Sequence, residues 1–156
     1  MNAFVTAGAG FLLAVLWFDL MFDVQAAARG PGAAGRGSGE LPEAALASIA
    51  GYYARVTTAA RPMNRLVALA MLATVAAIVV QLAEGSGEAW LPWVSLALAV
   101  AAILLAGLRT VPTAVRLGSR EDPPAVQSEL ARAVLAQHVF CFCAIGAVIA
   151  LQLSFG

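Results

Sequence analysis

Residues 133–151 read AVLAQHVFCFCAIGAVIAL, an apolar run in which Gln137 and His138 stand out. As a helix, a run of this length crosses about 30 Å of hydrocarbon, the thickness of a bilayer core. Moving toward the N-terminus, residues 91–108, 66–83 and 3–22 are three more runs dominated by Leu, Val, Ala, Ile and Phe. Lipid leaves no water for backbone N–H and C=O groups, so each run must be helical. The expected fold is therefore all-α: a single-domain integral membrane four-helix bundle over residues 1–156.

Composition agrees. The chain has 156 residues, 62% of them hydrophobic and 12% charged. A soluble domain of this length has no interior large enough to hide that much apolar surface. Net charge is zero, so no electrostatic case arises for nucleic acid. Every basic residue is an arginine, and the Ala-, Gly- and Arg-rich composition suggests a bacterial source.

Arginine placement sets an expected orientation. Arg29, Arg36, Arg55, Arg61 and Arg65 lie between the first and second runs. Arg109, Arg116, Arg120 and Arg132 lie between the third and fourth, while residues 84–90 and both termini hold none. The positive-inside rule puts the two Arg-rich connections in the cytoplasm and both termini outside, as in a multi-pass protein of the bacterial inner membrane. Trp90 and Trp93 fall at the outer interface. Asp19, Asp23 and the lack of a basic leader argue that the first run is retained rather than cleaved as a signal peptide.

Expected helices cover about 2–25, 62–82, 91–116 and 125–153, with Pro112 bending or ending the third. Residues 29–39, RGPGAAGRGSG, form a Gly-rich linker. After it, Leu46, Ile49, Tyr53 and Val56 recur at helical spacing, which predicts an amphipathic cytoplasmic helix over about 42–60 that ends or kinks near Pro62. Its Tyr52, Tyr53 and Arg55 either anchor it at the headgroups or line a site from below.

Asp19, Asp23, Asn64, Arg65, Arg109, Arg116, Gln137 and His138 all fall at the same end of the four runs. Asp19 and Asp23 are four apart and share a helix face. Arg109, Thr113 and Arg116 share another. A carboxylate at that depth is costly unless paired or protonated. One reading is a pocket at the cytoplasmic leaflet. There His138, Asp19 and Arg109 would be catalytic, and Asp23, Asn64, Arg65, Thr113, Arg116 and Gln137 would bind a ligand. His138 would donate or accept a proton, and the arginines would hold an anion or enolate. The plainer reading is that Asp–Arg pairs pin the helices together and the outer arginines snorkel to headgroups. No metal and no cofactor is expected. There is a single histidine, Cys141 and Cys143 point to different helix faces, and no nucleotide-binding or zinc-protease motif occurs.

Several features occur together in this chain. The long amphipathic connection leads through a proline into helix two, and Arg109-Thr110-Val111-Pro112 closes helix three. A Glu121-Asp122-Pro123 turn and a helix-four histidine follow. In this layout the chain resembles the anthrone-oxygenase-like membrane family. The resemblance implies a four-helix fold, His138 as a site residue, and cofactor-free oxidation of an electron-rich polycyclic substrate dissolved in the membrane. That family usually has Trp four residues before the histidine and Arg three after it, where this chain has Val134 and Cys141.

Three functions fit the pattern. One is binding or transforming a lipophilic small molecule. Another is service as a structural or accessory subunit, within a homo-oligomer or a larger membrane complex. The third is a carrier titrating Asp19, which the almost purely apolar outer halves of the helices disfavour. Membrane lipids are partners in every case.

Overall fold

A computed structural model describes residues 2–27, 39–59, 61–85 and 88–156. Residues 29–38 of the expected Gly-rich linker, Arg29 and Arg36 among them, lie outside the described residues. The described residues are helical almost throughout, and no strand occurs among them. Helix α1 spans Asn2–Asp23 and closes in a short 3-10 turn, Val24–Ala27. Helix α2 spans Glu43–Ala54 and runs into a π-turn, Arg55–Ala59; α3 then spans Arg61–Glu84. Helix α4, Leu91–Leu105, passes through a second π-turn, Ala106–Thr110, into α5, Val111–Ser119. Helix α6 spans Pro124–Phe155.

Four helical stretches are long and apolar enough to cross a membrane: Asn2–Ala27, Met63–Glu84, Leu91–Ser119 and Pro124–Phe155. Pro112 does not end the third. A proline has no N–H for the carbonyl four residues back, and its ring crowds that carbonyl. The π-turn immediately before it widens the helix, and the chain continues to Ser119. A similar π-turn follows α2, just ahead of Pro62.

The long helices bury one apolar cluster between them, around Val5, Ala9, Leu12, Ile78, Ala99, Ile145 and Val148. A second cluster lies under α2, where Leu46, Ile49 and Tyr53 pack on Ala114, Leu117, Ala131 and Val134. The amphipathic face of α2 is thus covered by protein, mainly by α5 and α6. Gly118 allows this close approach: a Cβ there would sit 2.9 Å from the Ala54 backbone nitrogen. Arg120, left-handed at φ 58°, caps α5 and pairs with Glu43 at the start of α2. Outward faces carry large apolar side chains such as Phe18, Leu69, Leu72, Trp93 and Leu108, as contact with lipid would favour.

At the end away from the Asp residues, a buried amide network ties all four long helices together. Gln81 and Gln152 exchange hydrogen bonds at 3.1 and 3.2 Å, Gln81 also donates to Asn2, and Gln152 donates to Ser95. The halves of the helices expected to be almost purely apolar therefore hold a polar knot with its hydrogen bonds made internally.

Candidate functional site

The site lies between the two apolar clusters, where α1 and α6 pack along their length. Asp19 and Asp23 sit one helical turn apart on α1, so both carboxylates face α6. His138 comes from the buried stripe of α6 that also carries Ala131, Val134, Cys141 and Ile145. It sits between the two aspartates. Its Nδ1 is 2.6 Å from Asp23 Oδ2, and its Nε2 is 3.9 Å from Asp19 Oδ2. Tyr53 donates to Asp23 Oδ1 at 2.6 Å, with its hydroxyl 3.3 Å from His138 Nδ1; Tyr52 donates to Asp19 Oδ1 at 2.6 Å.

This network assigns the imidazole tautomer. An ionised carboxylate only accepts, so Asp23 takes one hydrogen from Tyr53 and one from His138 Nδ1. In the neutral ring Nε2 then carries no hydrogen. Asp23 is completely buried, whereas Nε2 and Asp19 face an apolar cavity of about 420 Å³. Both tyrosine hydroxyls are held well above their usual pKa. Burial is the main cause for each, and the carboxylate that each one touches adds to it. Phe22 stacks on Tyr52 at 4.1 Å between ring centres and holds it in place.

The cavity draws walls from every helix. Ala102, Ala106, Thr110 and Ala114 line it at a spacing of four along α4, the π-turn and α5. Cys141, buried one turn from His138, also lines it and directs its thiol to the Ala102 carbonyl at 3.6 Å. Among the described residues, the backbone of α3 comes close to those of α1 and α4 but not to the second π-turn or α5. The cavity opens along this seam, where Met63, Asn64 and Val111 are exposed. Both π-turns border it, through Val56 and Thr57 on one side and Ala106 and Thr110 on the other.

Of the residues expected from sequence, the structure brings Asp19, Asp23 and His138 together and sets Asn64 at the cavity mouth, donating to the Thr57 carbonyl at 3.2 Å. Arg109 does not join them. It lies at the expected height but one position off the stripe that faces the cavity, so Thr110 points in and Arg109 is exposed. Arg65 is likewise exposed, and Thr113 is half-buried on α5 outside the cavity lining. Arg116 forms a two-point pair with Asp122 at 2.6 and 2.8 Å, which holds the Asp122 carboxyl below its usual range. Gln137, next to His138 but turned to another face, is half-buried outside the cavity lining. Tyr52 and Tyr53 belong to the site rather than to a headgroup belt. The signal was present in the sequence, because Tyr53 continues the apolar stripe of Leu46 and Ile49.

Among the described residues, no group of three or more His, Cys, Asp or Glu is arranged to hold a metal ion. Comparison of the chain with family models, with curated proteins and with solved structures finds no match.

Proposed function

We propose that this chain is a multi-pass protein of the bacterial inner membrane that binds a lipophilic small molecule in its cavity and exchanges a proton with it at His138. In this reading both Arg-rich connections face the cytoplasm, both termini lie outside, and the cavity opens into the cytoplasmic leaflet. One observation carries the chemistry. A buried carboxylate, Asp23, holds His138 through Nδ1, so the bare Nε2 is presented to an apolar cavity beside a second carboxylate, Asp19. A fixed tautomer with its free nitrogen aimed at a ligand site is the usual requirement for acid–base work by histidine. Asp23 and Tyr53 are positioning residues in this scheme. His138 and Asp19 are the groups that meet the ligand.

Kinship to the anthrone-oxygenase-like family stays part of the proposal, and we take from it only the helix-four histidine. Where that family has an arginine one turn on, Cys141 supplies no cation to the cavity.

Native mass spectrometry of the protein, released from gentle detergent, tests this reading. A bound small molecule is expected in the wild type and is lost in Ala106→Trp, which fills the cavity. His138→Gln is expected to retain it. A ligand-free chain that comes out with a stoichiometric partner protein would instead make it an accessory subunit.

A further inference from the structure

The hydrogen-bonding capacity of the cavity wall specifies the head group of its ligand. Among the described residues, each donor inside the cavity is already occupied by the protein itself, and only the second N–H of Asn64 at the mouth is spare. Tyr52 and Tyr53 donate to the two aspartates, and His138 Nδ1 donates to Asp23. Thr57 and Thr110 donate to the main-chain carbonyls of Tyr53 and Leu105, and Asn64 at the mouth donates to that of Thr57. Among the described residues, no arginine lines the cavity. What remains inside is acceptor capacity alone: lone pairs on the hydroxyl oxygens and two acceptors that receive no hydrogen, Asp19 Oδ2 and the Nε2 of a neutral His138.

Those two acceptors are 3.9 Å apart. A single atom at a hydrogen-bonding distance of about 2.8 Å from each would see them at an angle of roughly 90°. An atom carrying two or more hydrogens can donate to both at once. A hydroxyl has one hydrogen and can satisfy only one of them. A carboxylate or phosphate brings acceptors alone and adds negative charge beside two aspartates, with no cation among the described residues to balance it. A protonated primary amine supplies the donors and the charge together. Its apolar part fits the walls, and the seam between α3 and α5 offers the exit for a chain longer than the cavity.

We infer that the ligand is a lipophilic primary amine, bound as its ammonium form with one N–H on Asp19 Oδ2 and another on His138 Nε2. This rests on the ligand-binding reading above and names the class of molecule for the same site.

His138 is the sole histidine in the chain, so selective ¹⁵N-histidine labelling gives an NMR spectrum of this one ring. The labelled protein in nanodiscs of zwitterionic lipid is titrated with dodecylamine, dodecanol and dodecanoate, three probes with the same chain and different head groups. Dodecylamine is expected to shift the Nε2 resonance and to saturate about tenfold or more tighter than dodecanol, since charge-assisted hydrogen bonds are roughly twice as strong as neutral ones. Dodecanoate is expected to leave the resonance in place. In Asp19→Asn the advantage of the amine over the alcohol falls to about twofold or less. The comparison of head groups in the wild type stands even if that variant does not fold. Equal or stronger binding of dodecanol or dodecanoate overturns the amine assignment and leaves the cavity as a ligand site. If none of the three moves Nε2, the amine assignment and the ligand-binding reading fail together.

Discussion

Asp23→Asn is the sharpest test of how His138 is held. The replacement has nearly the same shape, and the wild-type residue is completely buried, with one donor on each carboxylate oxygen at 2.6 Å. Two hydrogen bonds to a charged group contribute about 1.5–3 kcal/mol each, and two neutral ones about 0.5–1.5 kcal/mol each. The loss is then about 2–3 kcal/mol as an upper bound, because the asparagine no longer carries the desolvation cost of a buried charge. Stability is therefore the weaker reporter. The stronger one is the tautomer. Asparagine can accept from Tyr53 through its oxygen, but its amide N–H then points at Nδ1, which has to give up its hydrogen. The ring is expected to switch from the Nδ1–H to the Nε2–H form, and the ¹⁵N shifts of the single histidine distinguish the two directly. Nε2 would cease to be an acceptor, so dodecylamine should lose part of its advantage over dodecanol, the part that Asp19 does not supply. An unchanged Nδ1–H tautomer in a folded Asp23→Asn protein would refute the idea that Asp23 orients the imidazole.

At the opposite end of the bundle, Gln152→Leu removes the partner of Gln81 and of Ser95, at an expected cost of about 1–3 kcal/mol. Adding Gln81→Leu should recover part of that loss, which equilibrium unfolding of both variants in mixed micelles would show; strictly additive losses would mean the two amides are not coupled. Gly118→Ala should destabilise by about 1–3 kcal/mol, because the new methyl meets the backbone of α2 rather than a side chain that can turn aside. Gly10→Ala, which meets open space, serves as its control in the same melting experiment. Alkali should also weaken the fold. The folded-state pKa values of Tyr52 and Tyr53 are raised, so their contribution is complete below the ordinary tyrosine value of about 10 and is lost as pH climbs beyond it. Tyr53→Phe should flatten the decline in melting temperature between about pH 9 and 11; an equally steep decline would leave Tyr53 out of the effect.

Sequence fixes the height of a residue along a helix far better than the direction in which it points. The i, i+4 spacing of Asp19 and Asp23 carries both kinds of information, and the two carboxylates do share a face. His138 is legible because a polar side chain within a run of bilayer length needs a reason to be there. The same argument applied to Gln81 and Gln152 would have found the far network, since each also breaks such a run. Arg109 shows where the reasoning stops. Its depth matches Asp19, but the facing stripe is Ala102, Ala106, Thr110 and Ala114, and small residues in an alanine-rich helix do not advertise which side is inward. The π-turn before Pro112 moves the register again, and propensity does not foretell one. Tyr52 and Tyr53 carry two equally good meanings in a sequence. What separates them is the coverage of α2 by α5 and α6, a tertiary fact.

The amide knot of Asn2, Gln81, Ser95 and Gln152 has a mechanical meaning. It rivets one end of the bundle, while the seam between α3 and α5 leaves the other end open. His138 is 14 residues from Gln152 along α6, a lever of about 21 Å. A tilt of about 10° about the rivet moves the helices at the seam by roughly 4 Å, enough to break a van der Waals contact. The molecule is laid out like a pair of tongs, joined at the amide knot and parted at the seam.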